Sequence, residues 1–115
     1  MLTSFISLQL RTVERFNVTS LSFDEPLTLS SARINVAAVA TPTRVAFVGG
    51  RNELGRALTS VDVFDPRTGA LSTASLAEDR GYPAAATIGE SVFVGGGTAS
   101  AARFTYERID LDSAS

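Results

Sequence analysis

The side chains able to do chemistry in this chain are arginines, carboxylates and two tyrosines. All ten cationic residues are Arg, set against twelve acids. Arg51 and Asn52 directly follow the glycine pair Gly49-Gly50, and Arg56 stands in the same polar stretch. A guanidinium is a planar fork that donates two parallel hydrogen bonds, which suits a carboxylate or phosphate. Arg51, Asn52, Arg56 and Tyr82 are therefore the candidate binding residues, with the polar tip Thr98-Ala-Ser-Ala-Ala-Arg103 as a weaker extension. The competing role for each is that of an ordinary exposed loop residue.

Other chemistries lack their residues. There is no Cys and no His, so disulfides, thiolate metal sites and the commonest general base are all missing. A glycosidase-like carboxylate pair is available by composition. Asp62, Asp65 and Asp110, however, recur in phase with a repeat, which marks them as turn and strand-edge residues. The chain is expected not to be an enzyme and to use no cofactor and no metal.

The bulk properties narrow the partners. A net charge of −2 gathers neither nucleic acid nor an anionic membrane surface. The apolar fraction of 44% with 19% charged residues fits a folded chain. The opening ten residues alternate apolar and polar without a basic stretch, which is a strand pattern and neither a signal peptide nor a membrane span.

What must position the arginines is a repeat. Arg33 and Ala37-Ala38 align with Arg80 and Ala84-Ala85 at an offset of 47. Val45-Ala-Phe-Val-Gly-Gly50 aligns with Ser91-Val-Phe-Val-Gly-Gly96 at an offset of 46, placing a one-residue difference in the Thr41–Arg44 turn. A third element occurs three times, as Val13-Glu-Arg-Phe-Asn17, Val61-Asp-Val-Phe-Asp65 and Tyr106-Glu-Arg-Ile-Asp110. Each unit splits into short apolar runs parted by turn residues, with no helical period. The complete unit predicts strands near 34–40, 44–49, 60–65 and 70–74, and the N-terminal one near 3–10, 12–18 and 21–24. Asp65-Pro66-Arg67-Thr68-Gly69 is a turn by its chemistry.

Four strands in about 46 residues is the period of a propeller blade. The Arg-x-x-x-Ala-Ala opening, the apolar–Gly-Gly strand end and the Ser-Val-Asp-Val-Phe-Asp-Pro-Arg-Thr-Gly segment resemble the kelch family over about 30–112. The resemblance implies an all-β chain of kelch-type β-propeller blades, each of four antiparallel strands, in an incomplete propeller. Residues 1–29 would form a partial blade, 30–76 a complete repeat and 77–115 a partial C-terminal repeat. Leu71 stands where the family usually has Trp, and the N-terminal unit lacks the glycine pair.

The resemblance gives structural roles to Arg33, Gly49, Gly50, Arg80, Gly95 and Gly96, and puts the Arg51-Asn52 loop on a ligand-facing rim. Gly pairs let a strand end turn and a neighbouring blade come close. Phe47, Phe64 and Phe93 read as core between sheets, and Ala37, Ala38, Ala84 and Ala85 as a crowded innermost strand. The copper and sialidase sites known on propellers need residues or a convergence that this sequence does not supply.

About ten strands make two and a half blades, whereas a closed propeller needs about four blades or more. Three arrangements account for this: a fragment of a larger kelch protein, copies assembled into one ring as a homo-oligomer, or a degenerate stand-alone array. The function expected is a protein-interaction or ligand-recognition module, its partner a protein or the missing blades, with no nucleic acid and no membrane. The alternatives are an extracellular carbohydrate-binding or carbohydrate-active propeller domain, for which only Tyr82 and Tyr106 offer platforms, and a structural remnant without a ligand.

Overall fold

The computed structural model describes residues 2–3 and 10–111, with side chains from Arg11 onward. The described residues form three antiparallel sheets and no α-helix. The first sheet has the order β1 (Leu2–Thr3), β2 (Leu10–Asn17) and β3 (Ser22–Arg33). The second has β4 (Ala37–Ala40), β5 (Val45–Val48), β6 (Ser60–Asp65) and β7 (Ala70–Ser75). The third has β8 (Ala84–Ile88), β9 (Ser91–Gly95) and β10 (Tyr106–Asp110). The all-β expectation holds. The strand expected over 3–10 lies, its ends apart, outside the described residues, and β3 runs without a break well past the expected 21–24.

Turn chemistry closes the hairpins of the second sheet. Asp65 Oδ1 accepts the Arg67 N–H at 2.9 Å and the Asp65 carbonyl accepts the Gly69 N–H at 2.8 Å, with Gly69 at φ 78°. At the other end the Thr41 N–H donates to the Arg44 carbonyl at 2.8 Å, which leaves Pro42-Thr43 as a two-residue turn.

The second sheet lies between the other two and is apolar on both faces. Side chains alternate along a strand, so Val45, Phe47 and Phe64 meet Val13, Leu27 and Leu29 of the first sheet. Ala46, Val48, Val61 and Val63 turn the other way, onto Val92 and Val94 of the third and Leu111 just past its last strand. Each fully buried Val or Phe of this kind contributes about 1.5–3 kcal/mol of burial. That is why β5 reads as a continuous apolar run and β6 is apolar in its interior apart from Asp62.

Hydrogen bonding shows how the units correspond. The Arg33 guanidinium donates to the Gly49 and Ser60 carbonyls at 3.1 and 2.9 Å and pairs with Asp62. Arg80 donates to the Gly96 and Thr105 carbonyls, both at 2.9 Å, and to Glu107 at 3.3 Å. The carboxylates also accept backbone N–H groups, Asp62 from Ser30 and Glu107 from Ala77. Arg33 and Arg80 thus fill one structural role, and Gly49 corresponds to Gly96 at an offset of 47.

This corrects the sequence alignment by one residue. Gly49-Gly50 corresponds to Gly96-Gly97, both pairs having positive φ, and not to Gly95-Gly96. Gly89-Glu90 is also a two-residue turn between paired strands, so the Thr41–Arg44 turn holds no length difference. The third unit is shorter between its glycines and its next strand, where the loop carries two residues fewer (Gly96 to Thr105 against Gly49 to Ser60). A slip of one residue along a strand exchanges the faces. Val94 therefore takes the place of Phe47, and Phe93 points to the outer face of the third sheet instead of into the core. Nor is the alanine strand crowded, since Ala38 and Ala84 are exposed.

Candidate functional site

The polar loops that follow β5 and β9 meet at one end of the second and third sheets. A backbone ladder brings them together. The Gly50 N–H donates to the Arg80 carbonyl, the Arg80 N–H to the Leu58 carbonyl, and the Leu58 N–H to the Gly50 carbonyl, at 2.9, 3.0 and 2.9 Å. Gly81 and Thr98 exchange two bonds of 2.7 Å. Glycine is needed at position 50, where φ is 98° and an added Cβ would lie 2.6 Å from the Ile34 carbonyl oxygen.

Within the first loop, Asn52 is the organiser. Its side-chain oxygen accepts the Leu54 and Arg56 N–H groups at 2.9 and 3.0 Å, and its backbone N–H donates to the Arg56 carbonyl at 3.0 Å. This is an Asx-type turn, the use Asn commonly finds in loops. Asn52 thus shapes the loop with the very group that could have met a ligand.

Arg51 is likewise engaged. Its guanidinium donates to the Gly55 carbonyl at 2.6 Å and to the Thr98 hydroxyl, and lies 5.3 Å from the centre of the Tyr82 ring. Its side chain crosses directly over Gly81, where an added Cβ would lie 2.8 Å from Arg51 Nε. Arg51 therefore clamps the first loop to the segment and loop of the next unit. Tyr82 keeps an exposed ring and a left-handed backbone, φ 53°, a conformation that non-glycine residues adopt at some cost.

Arg56 differs from these. It is exposed, and among the described residues its guanidinium makes no ion pair. It lines a depression of about 430 Å³ with Gly55, Ala57, Asp79, Ala99 and Ser100. A second depression, about 350 Å³, opens beside Asn52, Glu53 and Leu54 against Arg11 and Ser30–Ala32. Of the four candidate residues, the structure brings Arg51 and Tyr82 into contact, uses Asn52 as scaffold, and leaves Arg56 at the mouth.

Asp79 and Glu78 escaped the sequence reading, which took no notice of acids outside the repeat landmarks. Arg103 Nη1 donates to Glu78 at 3.0 Å and Nη2 pairs with Asp79, while Nε reaches the Asp79 carbonyl at 3.2 Å. The bond to Asp79 holds the Arg103 pKa above its ordinary value, so this guanidinium stays charged and occupied. Deeper in, burial pulls the Arg33 pKa below its ordinary value and the Asp62 carboxylate opposes the shift. The buried arginines are structural, and of the rim arginines Arg56 alone has a guanidinium with neither a hydrogen bond nor an ion pair among the described residues.

No cluster of three or more His, Cys, Asp or Glu suited to a metal occurs among the described residues. No protein-family model matches the chain, and no curated protein matches it.

Proposed function

We propose that the chain is part of a kelch-type β-propeller whose loops 51–59 and 97–103 recognise an acidic partner, a protein segment or a carboxylate-bearing ligand. The observation that carries this reading is the unpaired Arg56 at the mouth of a depression between two loops that Arg51 holds together. A pre-set pair of loops on a packed β scaffold loses little entropy on binding. The repeated Arg-to-carbonyl and Arg-to-carboxylate bonds support the kelch-type reading, since they give units 47 residues apart one internal wiring.

The carbohydrate reading finds less support. Sugar rings stack on open aromatic faces, and Tyr82 already carries Arg51 against its ring, which leaves exposed Tyr106 as the one tyrosine platform among the described residues. Interferometry with an immobilised glutamate-rich peptide tests the proposal. Binding that weakens about tenfold in Arg56→Ala, the scale of one lost charged contact, supports it. Equal binding by Arg56→Ala and the unchanged chain sinks it.

A further inference from the structure

We infer that the segment recognised at the loop cluster carries a lysine beside its acidic residue, the ammonium meeting Asp79 while the acid meets Arg56. The inference rests on the loop-cluster reading above and adds a second charge to the partner. It begins with a cation and a carboxylate that share one depression without pairing. Arg56 and Asp79 both line the hollow of about 430 Å³, and no ion pair joins them. The other walls are Gly55, Ala57, Ala99 and Ser100, whose small side chains leave the gap between the two charges open.

The carboxylates on this side of the depression outnumber the guanidiniums that hold them. Glu78, Asp79 and Glu107 share Arg80 and Arg103, which leaves one negative charge uncompensated. The hydrogen bonds show where that charge can be met. Glu78 Oε1 accepts from the Thr105 hydroxyl and Oε2 from Arg103. Glu107 Oε1 accepts the Ala77 N–H and Oε2 accepts from Arg80 Nε. Asp79 Oδ1 takes Arg103, whereas Asp79 Oδ2 accepts nothing among the described residues. The open acceptor therefore sits on the acid that lines the depression, and its side chain is 40% exposed.

A single open oxygen selects the kind of cation. A guanidinium binds a carboxylate best as a fork across both oxygens, and Arg103 already holds Asp79 Oδ1. An ammonium is a point charge whose donors rotate to suit one acceptor. Lysine is therefore the better match. A segment bearing acid and lysine complements both walls, whereas an all-acid segment sets a like charge beside Asp79.

Fluorescence anisotropy with two labelled peptides tests the inference on the unchanged chain. One peptide alternates glutamate and lysine, and the other has every lysine acetylated, which removes the charge and keeps the stem. The charged peptide should bind about tenfold tighter, the scale of one charged contact. In Asp79→Asn that preference should fall to about twofold or less. Equal binding of the two peptides, with both weakened in Arg56→Ala, would overturn this inference and leave the loop-cluster reading standing. A preference that persists in Asp79→Asn would overturn it as well, and binding of neither peptide would overturn both readings. Should Asp79→Asn fail to fold, a third peptide with arginine in place of lysine carries the comparison. It should bind several-fold more weakly than the lysine peptide, and equal or tighter binding would overturn the inference.

Discussion

Arg33 and Asp62, 29 residues apart in sequence, form an ion pair in which both side chains are fully buried. The same wiring returns in Arg80 and Glu107. In each case the guanidinium also satisfies two carbonyls where the strand after the glycines meets its neighbour. One side chain therefore holds the start of a unit to two of its strands.

Removing Arg33 strands the Asp62 carboxylate in the interior. Arg33→Ala should cost about 3–5 kcal/mol, the range for breaking a buried pair from one side. Arg33→Lys should recover little of it, because an ammonium cannot span the two carbonyls and the carboxylate as a planar fork does. Arg80→Ala should cost less, since its partners Glu107 and Glu78 keep access to water. Urea denaturation of the three variants gives the order directly.

The glycine pair yields a comparison free of chemistry. Gly49→Ala and Gly96→Ala place the same methyl on the same left-handed backbone, a cost of about 1 kcal/mol from conformation alone. Only Gly49→Ala also meets the Arg80 carbonyl oxygen. It should be the more destabilising by thermal unfolding. Equal losses would mean that the Gly49–Arg80 approach is relaxed in solution.

Much of this was legible in the sequence, and the misreadings have physical causes. The short apolar runs and the Asp65–Gly69 turn marked the strands of the second sheet, because local pattern and tertiary burial agree there. The arginines announced the period, as their fork needs the same acceptors in each unit. The third unit misled by one residue because the offset of 46 matches Phe, Val and two glycines, whereas the offset of 47 matches only Val45 with Val92 and two glycines. The bonds from Arg80 to Gly96 and Thr105 and the positive φ of Gly96 and Gly97 distinguish them. The loop cluster was half legible. Composition identified Arg51 as a possible ligand contact, but could not show that Tyr82, Thr98 and Gly55 occupy it.

Acid should loosen the link between the second and third sheets. The Thr43 and Thr41 hydroxyls donate to Glu90 Oε1 at 2.6 and 2.7 Å and hold its pKa below the ordinary 4.5. The unfolded chain, with the ordinary value, takes up the proton first as pH falls. The contribution of Glu90 is therefore present above the ordinary carboxylate range and is lost as pH drops through the lowered value. Melting temperatures recorded from about pH 6 to about pH 3 should fall less steeply for Glu90→Gln than for the parent chain. Identical slopes would remove Glu90 from the account.

Arg51 and Arg56 should separate in their effects. Arg51→Ala loses the Gly55 and Thr98 bonds and the stacking on Tyr82, so it should lower the melting temperature and loosen both loops. Arg56 is exposed and its guanidinium makes no ion pair among the described residues, so Arg56→Ala should leave the melting temperature within error, as surface changes away from structural features do. Thermal scans of the pair suffice.

Recognition at the loop cluster is tested most directly by amide chemical-shift mapping while a short glutamate-rich peptide is titrated into the labelled chain. The account predicts saturable shifts gathered in 51–59, 79–82 and 97–103, greatly reduced in Arg56→Ala. Shifts confined to other surfaces, or none at peptide excess, would contradict it.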